Sequence, residues 1–105
     1  MKRTKSYVVK WSVLAVADRN AIFEYIEADS SQAAVTVDER ISAAVASLEK
    51  APGIGRPGRV EGTRELVIDR TPYIAAYSIA GDIVRVLRML HGAQLWPEEI
   101  PERHE

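Results

Sequence analysis

The chain has no cysteine and only two histidines among its 105 residues. Disulfide bonds are therefore excluded, and the side chains that usually hold zinc are too few for a conventional site. Long hydrophobic runs are also missing, so we expect neither a membrane-spanning helix nor a signal peptide. These absences predict a cytoplasmic protein that needs no metal, no small-molecule cofactor and no membrane.

A strong excess of one charge is lacking as well, because the formal net charge is -1. The charges are nevertheless distributed unevenly. Residues 1–11 carry four basic groups and no acidic group, and residues 12–52 carry three basic and seven acidic groups. Residues 53–91 have a basic excess, and residues 98–105 form an acidic tail. A local basic surface can bind phosphate on a protein whose total charge is slightly negative, so the total charge leaves a nucleic-acid partner open.

The length predicts a single domain that includes the whole chain, because about this many residues support one hydrophobic core. Its first element is a strand, in which Tyr7, Val9 and Trp11 occupy alternate positions. Ser12 then offers a hydroxyl N-cap for a first helix over residues 13–28.

A second helix follows directly. Asp29 and Gln32 have the spacing of a capping box at its start. Apolar residues then recur at helical spacing at Ala34, Val37, Ile41, Val45 and Leu48. Residues 53–63 are rich in glycine and predict a loop. No strand precedes this loop and no helix follows it, so it lacks the context of a nucleotide-binding motif.

Three strands joined by short turns complete the domain, at about residues 64–68, 73–79 and 84–90. Strict alternation along the last strand would place Arg88 on the same face as Val84, Val86 and Leu90. We therefore expect an α+β fold of the order strand, helix, helix and a three-stranded antiparallel meander. The helical hairpin should cover one face of the sheet.

Several segments match the sequence patterns of a known family. They lie at residues 55–59 (GRPGR), 62–68 (GTRELVI), 71–77 (TPYIAAY), 86–94 (VLRMLHGAQ) and 96–97 (WP), with a further match at 9–12 (VKWS). In this order and spacing they cover about residues 7–97, and the chain thereby resembles the RelE/ParE toxins of bacterial type II toxin–antitoxin systems. The resemblance implies a toxin that arrests growth when it is free of its cognate antitoxin, and it implies the strand–helix–helix–meander architecture.

Two targets are compatible with this resemblance. RelE-like members cleave messenger RNA on the ribosome without a metal, and that chemistry requires cations near the phosphate and a group that transfers protons. The candidate catalytic residues are Arg64, Arg88 and His91, and the candidate nucleic-acid contacts are Arg56, Arg59 and Trp96. ParE-like members inhibit DNA gyrase by protein contact and need no reaction of their own.

The strand at residues 73–79 narrowly favours a gyrase inhibitor over an RNA-cleaving enzyme. Ile74 stands where the RNA-cleaving members commonly carry an arginine, and Trp96 lies near the position of their C-terminal tyrosine. An inactive toxin-fold protein that only binds its partner is a third alternative. The candidate residues also have structural interpretations, in which Arg64 and Arg88 form surface ion pairs with Glu61 or Glu65. Alternation places Tyr73 and Tyr77 on one strand face, so we expect both to be core residues.

Overall fold

The computed structural model describes residues 6–92 and 100–101. Its helices and strands are, in chain order, β1 (Val8–Trp11), α1 (Val13–Glu27), α2 (Ser31–Ala46), β2 (Arg56–Pro57), β3 (Arg64–Val67), β4 (Tyr73–Ala80) and β5 (Ile83–His91). Two short 3-10 helices, Ser47–Glu49 and Pro52–Ile54, connect α2 to β2. The predicted α+β order is confirmed. The two-residue strand β2 is an addition, since the prediction made residues 53–63 a loop throughout.

The strands form one five-stranded sheet in the order β1-β5-β4-β3-β2. Strands β3, β4 and β5 form the predicted antiparallel meander. Strand β1 lies beside β5 and parallel to it. A parallel pair cannot be closed by a tight turn, so the chain between β1 and the meander must cross over the sheet, and α1 and α2 supply that crossover.

Each helix has a serine as its N-cap. The Ser12 hydroxyl accepts a hydrogen bond from the Ala15 amide and so caps α1, as predicted. Helix α2 is capped by Ser30, whose hydroxyl accepts from the Ala33 amide. The expected capping box on Asp29 was therefore wrong by one residue. Two consecutive polar residues are both good N-caps, and their identity alone does not choose between them.

A β-bulge changes the predicted faces of β5. Ala76 lies opposite Arg88 and Tyr77 lies opposite Val86, so Leu87 is the extra residue. One extra residue reverses the alternation beyond it. The expectation that Arg88 shares a face with Val84 and Val86 was therefore wrong.

The main hydrophobic core lies between the helices and one face of the sheet. Its buried residues from the helices and the adjoining 3-10 turn are Ala15, Ile41, Val45 and Leu48, and those from the sheet face include Leu66, Tyr73, Ala75, Tyr77, Val84, Val86 and Met89. We call this the helix face. The opposite face, which we call the second face, carries a separate buried cluster of Ile74, Ala76 and Leu90. Tyr73 and Tyr77 are thus core residues, as the structural interpretation expected.

An ion pair joins the two helices. Arg19 donates two hydrogen bonds to the Asp38 carboxylate, at 2.7 and 2.9 Å. Its guanidinium also lies 5.0 Å from the centroid of the Trp11 ring, which is a cation–π distance. The hydrogen bond from Arg19 lowers the pKa of Asp38 below its ordinary value, and this lowering exceeds the opposing effect of burial.

No helix among the described residues is long and apolar enough to cross a membrane. The same part of the chain contains no group of three or more acidic or histidine side chains arranged to hold a metal ion.

The lowered pKa of Asp38 makes its contribution to stability depend on pH. A carboxyl group whose pKa is lower in the folded state stabilises the fold above its unfolded pKa, and that stabilisation is lost as the pH falls through the folded value. We expect Asp38→Asn to lower the free energy of unfolding near neutral pH by about 1 kcal/mol or less, because the pair is partly exposed. The difference from wild type should shrink in acid, as measured by urea unfolding from pH 7 to pH 3. A difference that stays constant with pH would contradict this assignment.

Candidate functional site

A row of charged residues crosses the second face of the sheet. The strand register places Arg56 beside Glu65, Glu65 beside Ala76, and Ala76 beside Arg88. Residues directly opposite one another in antiparallel strands point to the same face. The strand register therefore directs the two predicted arginines at the ends of this row to the sheet face opposite the main core.

Glu65 is the buried centre of one half of this row, with only 2% of its side chain exposed. Its Oε1 accepts two hydrogen bonds from the Arg56 guanidinium, at 3.1 and 2.9 Å. Its Oε2 accepts from the Arg59 amide at 3.2 Å, and the Arg59 guanidinium lies 3.4 Å from it. A buried carboxylate must be neutralised by such partners. Arg56 and Arg59 therefore fix the glycine-rich loop onto β3.

Arg88 is held in a similar way by the first helix. Its guanidinium donates two hydrogen bonds to the Asp18 carboxylate, at 2.7 and 2.9 Å, in the bidentate geometry that favours arginine. The same carboxylate accepts from the Met89 amide at 3.0 Å. Both side chains are largely buried. Arg88 is thus joined to a helix residue, and the surface pairs with Glu61 or Glu65 that the sequence suggested are not formed by this arginine.

Arg64 lies at the other end of the meander and on the other face. Its partner on the adjacent strand β4 is Tyr77, which belongs to the main core. The Arg64 guanidinium donates to the carbonyl oxygens of Gly55 and Gly53, at 3.1 and 3.0 Å. The predicted pairing of Arg64 with a glutamate was therefore wrong as well. The residue types in the sequence did not indicate that Arg64 would bind backbone carbonyls of the preceding loop.

The same loop is anchored by the Tyr77 hydroxyl. This hydroxyl accepts a hydrogen bond from the Gly55 amide at 2.9 Å and donates one to the Pro52 carbonyl at 2.6 Å. A Cβ atom at position 55 would lie 2.5 Å from the Tyr77 hydroxyl oxygen and 2.9 Å from the Glu65 carbonyl oxygen. Only glycine fits there without displacing the strand.

His91 ends β5 on the helix face, opposite Tyr73. The two rings meet edge to face, with their centroids 5.9 Å apart. Burial raises the pKa of the Tyr73 hydroxyl, with a smaller contribution from the charge of Tyr25. Tyr73 is therefore kept neutral, and it supports the His91 ring by contact.

Comparison with known proteins identifies the family. The family model for the ParE toxin of the type II toxin–antitoxin system parDE matches residues 9–96. The chain belongs to this ParE toxin family. It is therefore a toxin of the ParE/RelE superfamily.

Two curated relatives agree with this assignment. The Y4kP protein of Sinorhizobium fredii is 42% identical over 86% of this chain and 93% of its own length. Toxin RelE2 of Caulobacter vibrioides is 37% identical over 83% of this chain and 97% of its own length.

Solved structures share the fold. A chain of the chromosomal ParDE system of P. aeruginosa superimposes with a TM-score of 0.75 at 29% identity, over 83% of this chain and 97% of that chain. A chain of the RelBE2 complex of Mycobacterium tuberculosis gives a TM-score of 0.59 at 23% identity, over 90% of this chain and 100% of that chain, and therefore shows the fold alone.

The toxin does not assemble its three candidate catalytic residues in one place. Arg64 and His91 lie on the helix face, and their partners on β4 are Tyr77 and Tyr73. Four residues along β4 and two strand spacings separate their Cα atoms by about 16 Å. Arg88 lies on the second face, opposite Ala76. Trp96, the remaining candidate, lies outside the described residues.

The centre of the second face is apolar. Ile74, Ala76 and Leu90 are buried there as a cluster, next to the row that contains Glu65 and Arg88. Ile74, which stands where the RNA-cleaving members commonly carry an arginine, is thus a packed aliphatic side chain.

Asp18 and Glu65 organise the site, and sequence reasoning did not place them in it. Asp18 lies within the predicted first helix, where an acidic residue looks like part of a solvated surface. Glu65 carries a weak signal, since its alternation with Leu66 places a charge on the second face of a strand inside the meander. The sequence indicated no partner for Asp18 and offered Glu65 to Arg64 or Arg88. In the structure Asp18 pairs with Arg88, and Glu65 pairs with Arg56 and Arg59.

We expect Arg88→Ala to lower the free energy of unfolding of the toxin by about 2–3 kcal/mol, because it leaves the largely buried Asp18 carboxylate without its charged partner. Arg88→Lys should cost less, since it keeps the charge and loses only the bidentate geometry. Arg70→Ala is the matched control, because Arg70 is 72% exposed and pairs with its exposed neighbour Asp69. Urea unfolding measures all three variants. Equal stability of Arg88→Ala and Arg70→Ala would show that the buried pair contributes nothing.

Proposed function

We propose that this toxin arrests growth by binding DNA gyrase, in the manner of the ParE-type members, without a nuclease reaction of its own. The observation that carries the proposal is that the candidate cations are already engaged within the protein. Arg56 and Arg59 bind Glu65, Arg88 binds Asp18, and Arg64 binds loop carbonyls. A phosphate that gains negative charge during cleavage requires cations directed at it.

The apolar centre of the second face supports the same proposal. Ile74 packs with Ala76 and Leu90 where a nuclease would need a polar or charged group next to the scissile phosphate. These three side chains are buried in the free toxin, so this position offers a phosphate neither a charge nor a hydrogen-bond donor. The alternative function, ribosome-dependent cleavage of messenger RNA, is favoured by the name of the Caulobacter relative.

We further propose that a cognate antitoxin covers the helical hairpin. The solved relatives come from a ParDE system and a RelBE2 complex. On this chain, helices α1 and α2 leave large apolar side chains exposed, namely Val13, Val16, Tyr25 and Val35. An amphipathic segment that folds on binding would bury such residues.

Expression of the chain alone in bacteria should stop growth, and coexpression of the antitoxin encoded by the neighbouring reading frame should restore it. The comparison with the family model motivates this expectation. Growth curves with and without induction provide the measurement, with immunoblotting of the soluble fraction as the control for expression. Normal growth in the presence of abundant soluble protein would instead favour the inactive binding protein.

Purified toxin should trap gyrase on cleaved plasmid DNA, while messenger RNA in a purified ribosomal translation system stays intact. The physical reason is the lack of an assembled cation site among the described residues. Electrophoresis of plasmid after proteinase treatment and primer extension on the messenger measure the two activities. His91→Ala distinguishes the mechanisms further, because His91 is exposed and its loss should not prevent folding. Messenger cleavage that falls about a hundredfold in this variant would establish the nuclease and refute the proposal.

A further inference from the structure

Arg85 differs from the other arginines in residues 6–92. Each of the others donates a hydrogen bond to a carboxylate or a backbone carbonyl or forms an ion pair. Arg40 donates to the Arg70 carbonyl, and Arg70 forms an ion pair with Asp69. The Nε atom of Arg85 is buried and has no hydrogen-bond partner. A buried guanidinium nitrogen without an acceptor costs free energy, so its retention requires an explanation.

Arg85 contributes to the wall of a pocket of about 250 Å³ at the junction of β1 and α1. The other lining residues are Trp11, Ser12, Val13, Leu14 and Pro101. None of these described residues is acidic. Lys10 lies directly beside Arg85 in the parallel pairing of β1 with β5, so a second positive charge adjoins the pocket. The charges of the described residues at this pocket therefore favour an anion.

Helix α1 also begins at this pocket. The Ser12 hydroxyl satisfies the Ala15 amide, and the Ser12 carbonyl satisfies the Val16 amide. The first two amides of the helix, those of Val13 and Leu14, have no intrahelical acceptor. They add the partial positive charge of a helix N-terminus to the charge of the guanidinium.

We propose that this pocket receives a carboxylate side chain from an acidic, amphipathic segment of the antitoxin, with the Arg85 guanidinium as its main partner. This inference rests on the proposed function, because it assumes that an antitoxin binds. A peptide fits better than a nucleic-acid strand for two reasons. The first is that apolar surface adjoins the pocket, because Val13 at the rim is 86% exposed and Trp11 also lines the neighbouring pocket, to which Val16 and Phe23 contribute. The second is that a phosphate backbone would require a repeated series of cations.

The experiment uses the full-length toxin and the antitoxin from the neighbouring reading frame, with affinity measured by isothermal titration calorimetry. We expect Arg85→Met to weaken binding about tenfold to a hundredfold, and Arg85→Lys to have an intermediate effect because it retains the charge without the fork. The affinity of wild type should also decrease more steeply with NaCl concentration than that of Arg85→Met. Arg70→Met serves as the matched control and should leave the affinity unchanged.

A second measurement separates this role from a structural one. The buried Nε atom of Arg85 has no hydrogen-bond partner in the free toxin, so Arg85→Met should leave the thermal unfolding midpoint unchanged or raise it. A lowered midpoint, shared by Glu102→Gln, would assign the pocket to the toxin's own C-terminal residues and overturn the inference. Unchanged antitoxin affinity in Arg85→Met would overturn it too, as would an Arg85-dependent affinity for a single-stranded RNA alone. If wild type forms no complex at all, the proposed antitoxin partner fails first.

Discussion

The extra residue of β5 at Leu87 determines how the first helix meets the sheet. Strand β1 pairs with β5 only as far as Val86, so the backbone of β5 beyond that point needs other partners. The bulge directs the Leu87 carbonyl and the Met89 amide toward α1, where the Ser12 hydroxyl and the Asp18 carboxylate bind them. Helix α1 is thereby fixed by polar contacts at its N-cap and, about one and a half turns later, at Asp18. The core between the helices and the sheet forms around this arrangement, and Arg88 is engaged as part of it.

Three carboxylates among the described residues hold parts of this toxin together. Glu65 joins the glycine-rich loop to β3, Asp18 joins α1 to β5, and Asp38 joins the two helices through Arg19. Each carboxylate is matched by an arginine, whose planar fork suits bidentate pairing. In a small domain with no disulfide, such pairs orient elements that a single core would position less specifically. An arginine used in this way has fewer donors left to stabilise charge on a substrate, which links the architecture to the proposed action by contact.

The candidate site illustrates the difference between residue type and residue position. Arg64, Arg88 and His91 have the chemistry of a metal-free nuclease, and all three lie on the meander. The alternation of the strands nevertheless divides them between two faces, and the length of β4 separates Arg64 from His91. Arg85 has the same side chain as the other arginines of the meander and differs from them only in its surroundings. Both proposals for this toxin therefore depend on which arginines the tertiary structure engages internally.

Local patterns in the sequence determined the order of the elements, the Ser12 cap, the helical hairpin and the meander, because caps, turns and hydrophobic periods act between residues close in the chain. They also placed Tyr73 and Tyr77 in the core by alternation. Tertiary structure alone decided the parallel pairing of β1 with β5, the short strand β2, the bulge at Leu87 and the partners of every candidate arginine. Each of these depends on groups far apart in sequence, such as Asp18 and Arg88, whose approach follows from the crossover of the chain. A single inserted residue in β5 was enough to reverse the face of Arg88, and periodicity carries no signal for where such a residue lies.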